Sequence, residues 1–252
     1  MQKIKLLIFD VGGVFRDSSK AIGEGFRRGF VSCGLKYKFN AQDVWHLRGV
    51  GKYNNSGNCA KALFALSRTG ERLSKLIAKP DAETLLDRAV SGSTNSGDEE
   101  KIDKIRGGYK KFFYSAQAGK LIKLYPKVVD AINALHGNGY RLAIFTNARV
   151  SSVKRDLSGV ELSKFSLIVS EEDLKNKKPS GEGILKITSK LDVKPEEAIY
   201  VGDCVVDVLA ARDAGCKSAA LLCGMGLKTH LEKEKPDFIF ENLWELSRHF
   251  KE

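Results

Sequence analysis

The stretch LLIFDVGGVF, residues 6–15, decides how the rest of the chain is interpreted. Its first four residues are apolar and predict a buried strand, which ends at Asp10 before Gly12 and Gly13 open a loop. A carboxylate at the carboxyl end of a buried strand is costly to desolvate unless a cation or a reaction partner meets it there. Taken alone, the stretch favours a strand followed by a polar turn, so later parts of the chain must decide.

Strand and helix patterns alternate from residue 126 onward. Short apolar runs, each followed by apolar residues at helical spacing, predict strands at 140–145, 167–169, 198–201, 218–223 and 238–240. Such alternation is typical of a parallel sheet with right-handed crossovers and helices on both faces. The predicted fold class is therefore α/β with a doubly wound parallel sheet.

The region between the first strand and this alternating part has helical periodicity almost throughout. Ile22, Phe26 and Phe30, for example, recur every four residues. An insert placed directly after the first strand should lie above the carboxyl ends of the sheet, where doubly wound folds bind ligands. The predicted division is a core of 1–16 and 120–252 and an α-helical cap of 17–119 that acts as a lid.

Composition narrows the class of protein. The chain has 252 residues, 42% hydrophobic and 29% charged, which is ordinary for a globular protein. Its N-terminal apolar run is too short for a signal peptide or a membrane span, and five cysteines without a C-x-x-C pair suit reduced thiols in the cytoplasm. The net charge of +11 comes from scattered lysines without zinc-finger spacing or a basic region leading into heptads. We therefore expect a lysine-rich surface, no membrane and no nucleic-acid partner.

Polar residues follow three further predicted strands. Thr146 and Asn147 come after 140–145, Lys178 lies in the loop after 167–169, and Asp203 comes after 198–201. Strand ends of a parallel sheet meet at one edge, so these groups should face the same crevice as Asp10. Each group alone has a simpler explanation, such as a helix cap or a surface turn.

Together these groups suit phosphoryl transfer. A carboxylate can attack phosphorus while a hydroxyl and an ammonium hold the phosphoryl oxygens. Asp203 and Asp207, four residues apart, form an acidic pair that could hold Mg²⁺.

Four stretches in this order resemble the motifs of the haloacid dehalogenase-like superfamily: FDVGGVFRDS, LAIFTN, KNKKP and VGDCVVDVLAARDAG. Most members of that superfamily are Mg²⁺-dependent phosphatases with a Rossmann-like core and a mobile cap. A helical insert between the first and second motifs is similar to the cap of the phosphoglycolate phosphatase and β-phosphoglucomutase branch. The resemblance implies a phosphatase that acts on a small phosphorylated metabolite.

The resemblance also assigns roles. Asp10 would be the nucleophile that becomes a phosphoaspartate, and Thr146 and Lys178 would bind the phosphoryl group, with Lys177 as an alternative to Lys178. The residues expected at the metal are Asp10, the carbonyl of Gly12, Asp203 and, directly or through water, Asp207. The further residues expected at the substrate are Gly12, Gly13 and Asn147.

Residues 47–55, LRGVGKYNN, resemble the cap loop that contacts substrate in that branch. Arg48 and Lys52 would then be cationic groups that face the crevice. The alternative is that both are solvent-facing residues of a helix and its following loop.

One position departs from the family pattern. Family phosphatases nearly always carry a second aspartate two residues after the nucleophile, as general acid and base, and Gly12 occupies that position. Such assistance is worth roughly 10²–10⁴ in rate. The main interpretation is a phosphatase with restricted activity that favours good leaving groups. The alternatives are a phosphonatase-like C–P hydrolase that uses Lys52 in a Schiff base, and a non-catalytic protein that binds a phosphorylated ligand or a macromolecular partner.

Overall fold

The computed structural model describes residues 3–251 and divides into two compact units. The first contains the chain up to Asp17, Lys123–Gly224, and the chain from Leu231 onward. The second contains Ser18–Ile122 together with Met225–His230. The domain division drawn from the sequence stays a prediction, and no sequence pattern indicates that Met225–His230 returns to the second unit.

A parallel sheet forms the centre of the first unit. In the described residues it has six strands in the order β5-β4-β1-β6-β7-β8, and every neighbouring pair is parallel. This confirms the predicted α/β class and the doubly wound sheet. The strands are β1 Leu6–Phe9, β2 Arg16–Asp17, β3 Lys123–Leu124, β4 Arg141–Phe145, β5 Phe165–Val169, β6 Ala198–Gly202, β7 Lys217–Leu221 and β8 Phe238–Phe240.

The register of the sheet brings three strand ends side by side. Phe9 at the end of β1 lies opposite Ile144 of β4 on one side and Val201 of β6 on the other. The residues that follow these strands therefore leave the sheet at neighbouring points on one edge, as the strand-end argument requires.

The second unit is helical. Two of its long helices, α1 (Ser19–Ser32) and α6 (Glu99–Phe113), pack so closely that a Cβ on Gly29 would lie 2.2 Å from the carbonyl oxygen of Ile105. Met225–His230 is held within the same unit, because His46 Nδ1 donates to the Met225 carbonyl over 2.9 Å and His230 Nε2 donates to the Lys79 carbonyl over 2.9 Å. The helices are α1 Ser19–Ser32, α2 Ala41–Leu47, α3 Ser56–Thr69, α4 Leu73–Ile77, α5 Ala82–Ser93, α6 Glu99–Phe113 and α7 Ala116–Gly119.

Alternating residues of the sheet build two hydrophobic layers in the first unit. Leu7 and Phe9 face a core shared with helices α8 (Val128–Gly137) and α13 (Leu243–His249). Leu6, Ile8 and Tyr200 face a core shared with α10 (Glu182–Lys190) and α11 (Val205–Asp213). The remaining helices are α8 Val128–Gly137, α9 Val150–Asp156, α10 Glu182–Lys190, α11 Val205–Asp213, α12 Lys228–Lys233 and α13 Leu243–His249. Short 3-10 turns occupy Gly51–Asn54, Ser96–Asp98, Leu162–Lys164, Glu171–Asp173 and Pro195–Glu197.

A small antiparallel ribbon differs from the sequence expectation. β2 pairs with β3 through Arg16 opposite Leu124 and Asp17 opposite Lys123, in a stretch for which no strand is predicted. Strands of two residues are too short to show an alternating pattern, which is why the sequence does not reveal them. Within residues 3–251, no helix combines the length and the hydropathy that crossing a membrane requires.

Candidate active site

Asp10 lies at the carboxyl end of the central strand and is nearly buried, with 7% of its surface exposed. Its backbone N–H donates to the carbonyl of Val201 over 2.9 Å, which extends the β1–β6 pairing by one residue and fixes the main chain. Its side-chain Oδ1 accepts a hydrogen bond from Lys178 Nζ at 2.7 Å. The acid predicted from the opening stretch thus meets a cation, which removes the penalty of burying a lone charge.

Lys178 lies at the centre of this site. Its Nζ also donates to Asp207 Oδ1 at 2.7 Å and to the hydroxyl of Tyr200 at 2.9 Å. Burial alone would lower the pKa of the Lys178 ammonium, but the charges of Asp10 and Asp207 outweigh it and raise that pKa well above its ordinary value. Lys178 is therefore a permanent buried cation at neutral pH.

The loop that carries Lys178 is held from two sides. Asn147 Oδ1 accepts a hydrogen bond from the Lys178 backbone N–H at 3.1 Å. The Glu182 carboxylate accepts from the backbone N–H groups of Lys175 and Asn176 at 3.0 and 2.8 Å. Both contacts fix the backbone from which the Lys178 side chain extends.

The alternative lysine has a different environment. Lys177 pairs with Glu171 at 2.6 Å, and 51% of its side chain is exposed. Of the two candidates, the structure places Lys178 against Asp10.

Thr146 follows β4 and is buried. Its backbone N–H donates to the Val169 carbonyl, and its Oγ1 accepts from the backbone N–H of Ala148 at 3.3 Å. This contact is a local turn interaction and not a helix cap, because α9 begins at Val150 and its N-cap is Arg149. Because a hydroxyl keeps its own hydrogen when it accepts, Thr146 can still donate to a ligand.

The acidic pair is buried at the start of α11. Asp207 Oδ2 accepts from the backbone N–H groups of Asp203 and Cys204 at 3.1 and 3.0 Å. Burial raises the pKa of the Asp207 carboxyl, while Lys178 opposes this shift. One potential ligand atom from each of Asp203, Cys204 and Asp207 lies within 4.8 Å of the others.

Two glycines enclose the carboxylate of Asp203. A Cβ added to Gly13 would lie 1.9 Å from Asp203 Oδ2, and a Cβ added to Gly224 would lie 2.2 Å from the same atom. Gly13 also has a φ of 78°, which glycine adopts without strain. Any side chain at either position would displace the Asp203 carboxylate.

The donor set fits Mg²⁺, because this small hard cation prefers oxygen ligands and Asp203 supplies a completely buried carboxylate next to Asp207. Cys204 does not fit, because burial and the nearby aspartates raise the pKa of its thiol well above the ordinary value and a neutral thiol is a poor magnesium ligand. All five cysteines of the chain are free.

Gly12 carries no side chain, and its backbone forms a bridge with Arg16. The next residue continues this contact, since the Gly13 N–H donates to the Arg16 carbonyl at 2.9 Å. The loop after Asp10 is thus folded back on β2, and no acid extends from the position where the family carries one.

Arg48 and Lys52 belong to the second unit. The Arg48 guanidinium donates to the carbonyl of Asn54 at 2.8 Å and to the Tyr109 hydroxyl at 2.8 Å. Lys52 Nζ pairs with Asp87 at 2.7 Å. Both cations have partners inside the helical unit, and a role in substrate binding stays a prediction for each.

Sequence reasoning missed Tyr200. Its hydroxyl lies between Lys178 and Asp207, inside a strand that otherwise looks like ordinary core. The available signal was chemical, because a phenol in an apolar buried strand needs a hydrogen-bond partner and so indicates a polar neighbour.

The fold and the site together define a class of protein. A buried aspartate, a lysine, a threonine and an acidic pair gather at the carboxyl edge of a Rossmann-like sheet, as in enzymes that transfer phosphoryl groups. Residues 7–221 match the family of haloacid dehalogenase-like hydrolases. The chain belongs to this family, which confirms the resemblance drawn from the four motifs.

Relatives with assigned names cover much of the chain. A phosphoglycolate phosphatase of Salmonella typhi is 27% identical over 248 residues, which are 98% of this chain and 92% of that protein. The pyrophosphatase PpaX of Bacillus cereus is 33% identical over 153 residues, 59% of this chain and 69% of that protein.

Solved structures share the fold over the whole chain. A protein from Lactobacillus delbrueckii subsp. bulgaricus superposes with a TM-score of 0.79 at 18% identity, covering 99% of both chains. A protein from Haemophilus somnus, described as a predicted phosphoglycolate phosphatase, superposes with a TM-score of 0.72 at 19% identity and covers all of both chains.

Proposed function

We propose that this protein is a Mg²⁺-dependent phosphatase that hydrolyses a small phosphorylated metabolite through an aspartyl-phosphate intermediate. The observation that carries the proposal is the buried contact of 2.7 Å between Lys178 Nζ and Asp10 Oδ1. A carboxylate held beside a permanent cation can approach an anionic phosphoryl group, since the cation offsets the repulsion between the two negative charges.

In the first step, an oxygen of the Asp10 carboxylate attacks phosphorus. A bond forms between this oxygen and phosphorus, and the bond from phosphorus to the leaving oxygen breaks with its electron pair. Lys178 and the hydroxyl of Thr146 hold the phosphoryl oxygens during the transfer. In the second step, a water oxygen attacks the same phosphorus, the carboxylate of Asp10 is released, and inorganic phosphate leaves.

The metal would be held by Asp10, the backbone carbonyl of Gly12 and Asp203, with Asp207 in support. When bound, Mg²⁺ supplies positive charge that stabilises the charge developing on the phosphoryl oxygens. The three hydrogen bonds that Asp207 accepts from Lys178 and two backbone N–H groups suit a supporting role, because they engage both of its oxygens.

Gly12 determines which substrates react well. Without an acid at this position, the leaving oxygen departs without a proton from the usual donor, so its own basicity sets the barrier. Aryl phosphates and phosphoric anhydrides have weakly basic leaving groups. Alkyl phosphates such as sugar phosphates have a strongly basic alkoxide as the leaving group. We therefore propose aryl or anhydride-type phosphates as the better substrates. The PpaX relative, named a pyrophosphatase, is consistent with this class.

The central test is hydrolysis of p-nitrophenyl phosphate by purified protein with and without Mg²⁺. We expect Mg²⁺-dependent turnover that Asp10→Asn abolishes, because an amide is not a nucleophile. Asp130→Asn, a matched change at an exposed position of α8, should leave the rate unchanged. Absence of turnover in the unaltered protein, or an unchanged rate in Asp10→Asn, would exclude the proposal.

A second experiment isolates the role of Gly12. Gly12→Asp should accelerate hydrolysis of alkyl phosphates far more than of aryl phosphates, since only the former need a proton on the leaving oxygen. Equal effects on both substrates would contradict the argument from the missing acid.

A further inference from the structure

Tyr200 is a buried phenol in the middle of the sheet. It is the third residue of β6, has 1% of its surface exposed, and points into the core shared with α10 and α11. A hydroxyl in such a layer has to be paired with protein groups, because an unpaired buried polar group is destabilising. Its partners therefore show what it does.

The hydroxyl of Tyr200 connects separate parts of the active site. It accepts a hydrogen bond from Lys178 Nζ at 2.9 Å. Its own hydrogen can be donated to the Phe145 carbonyl at 3.1 Å or to Asp207 Oδ1 at 3.3 Å. Phe145 directly precedes Thr146, so this one atom joins β6, the end of β4, the loop of Lys178 and the start of α11.

The contacts of Lys178 show why this position matters. An ammonium group has three N–H donors, and the three acceptors around Lys178 Nζ are Asp10 Oδ1, Asp207 Oδ1 and the Tyr200 hydroxyl, at 2.7, 2.7 and 2.9 Å. The rings of Phe145 and Tyr200 lie beside the same group, with centroids 5.3 and 5.5 Å away. The direction of the ammonium is thus fixed by three hydrogen bonds and two aromatic faces.

Tyr200 differs from the other two acceptors in being neutral. A phenol is un-ionised at neutral pH, whereas both aspartates are carboxylates. A third carboxylate there would cancel more of the charge of Lys178, and an apolar side chain would leave one N–H without an acceptor. A phenol holds the ammonium in place and leaves its charge available to an incoming anion.

We propose that Tyr200 is a positioning residue that fixes the ammonium of Lys178 for contact with the transferred phosphoryl group. The inference deepens the proposed phosphatase function and rests on it. When a phosphoryl oxygen replaces Asp10 as the partner of one N–H, Tyr200 and Asp207 retain the other two. The ammonium then changes partner without changing position, so little reorganisation is needed during the reaction.

Tyr200→Phe tests this directly, because it removes one oxygen atom and keeps the ring that fills the core. We expect kcat/KM for p-nitrophenyl phosphate to fall by about tenfold to a hundredfold, as a hydrogen bond to a charged group predicts, with most of the loss in kcat. The matched control is Tyr140→Phe, because Tyr140 immediately precedes β4 at the opposite edge of the sheet. A change of less than twofold in Tyr200→Phe, or an equal loss in Tyr140→Phe, would overturn the proposal.

A double-mutant cycle asks whether Tyr200 acts through Lys178. The probe is inorganic phosphate with Mg²⁺, and its affinity is measured by titration calorimetry. Tyr200→Phe should weaken binding in the unaltered protein and have no further effect in Lys178→Met, because the group that it positions is then gone. Equal losses in both backgrounds would show that Tyr200 acts by another route and would exclude the proposal.

The same four proteins unfolded in urea separate this proposal from the phosphatase function. If Lys178 and Tyr200 form one unit, their effects on stability are non-additive whether or not the protein hydrolyses phosphate. Coupled stability effects without turnover would reject the phosphatase function and retain the pairing of the two residues. Additive stability effects would reject the positioning role even if turnover is observed.

Discussion

Replacing Gly224 with alanine tests whether the carboxylate of Asp203 holds the metal ion. The new Cβ would lie 2.2 Å from Asp203 Oδ2 and 2.3 Å from its Cβ, whereas ordinary contact begins near 3.4 Å. The carboxylate or the loop of Gly224 must therefore move by about 1.2 Å, the difference between 3.4 and 2.2 Å. Neither can move freely, because Asp203 is completely buried and Gly13 encloses it from another direction.

The expected result follows from the strict geometry of Mg²⁺. Its ligands lie about 2.0–2.1 Å from the ion in a near-ideal octahedron, so a ligand displaced by more than an ångström is lost. We expect Gly224→Ala to weaken Mg²⁺ binding at least tenfold and to lower kcat/KM by on the order of a hundredfold. Overpacking should also reduce the free energy of unfolding by about 1–3 kcal/mol.

The assay is a calorimetric Mg²⁺ titration, combined with the Mg²⁺ dependence of p-nitrophenyl phosphate hydrolysis and with urea unfolding. Gly137→Ala is the matched control, because a Cβ at the end of α8 meets nothing within 4 Å. It should bind Mg²⁺ like the unaltered protein. If folded Gly224→Ala binds Mg²⁺ within threefold of the unaltered protein, the assignment of Asp203 as a ligand in this enclosure is wrong.

Three further predictions concern charged groups. Lys178→Met should lower kcat/KM by at least about a hundredfold, since it removes a buried cation. Lys177→Met should change kcat/KM less than threefold, because that side chain pairs with Glu171 at the surface. Similar losses in steady-state assays of the two variants would contradict the choice of Lys178 as the phosphoryl-binding lysine. Hydrogen bonds from Lys186 and from two backbone N–H groups lower the pKa of Glu182 from 4.5 to about 2. The ionised Glu182 carboxylate therefore stabilises the folded state above pH 4.5, and this stabilisation is lost as the pH falls toward 2. The difference in Tm between the unaltered protein and Glu182→Gln should therefore be constant above about pH 5 and shrink below it, and a pH-independent difference would refute this. Finally, the second unit holds 20 of the 42 lysine and arginine residues but 10 of the 31 acidic residues, which gives it a net charge of +10. Because salt screens this charge, kcat/KM for anionic substrates should fall several-fold between low salt and about 0.3 M sodium chloride. Sucrose at equal osmolality is the control and should not reproduce the fall.

The sequence predicted the position of the main site groups because strand ends in a parallel sheet are a strong constraint. Once LLIF and AIYV are recognised as neighbouring strands, Asp10 and Asp203 must emerge at the same edge. The pattern does not determine where each side chain points. The choice between Lys177 and Lys178 is one example, since only the fold shows which ammonium turns inward.

Other features depend on approaches between distant parts of the chain, which local patterns do not encode. Gly224 has no side chain that a sequence pattern could assign to the site, and its close approach to Asp203 depends on how the chain continues after β7. The return of Met225–His230 to the helical unit depends on His46 and Lys79, more than a hundred residues earlier. The AIYV pattern predicts a core position for Tyr200 because β-strands favour aromatic side chains, whereas its contacts with Lys178 and Asp207 depend on the fold.

The central place of β1 in the sheet has a consequence for biosynthesis. Its partners are β4 and β6, and the end of β6 at Gly202 is translated about 190 residues after Phe9. At roughly 5–20 residues per second, the nascent LLIF segment waits about 10 to 40 seconds before both of its neighbours exist. During this time the apolar LLIF segment lacks at least one of its two native neighbours. The strand that ends at Asp10 is therefore paired on both sides only late in translation, and the carboxyl edge of the sheet is completed at the same stage.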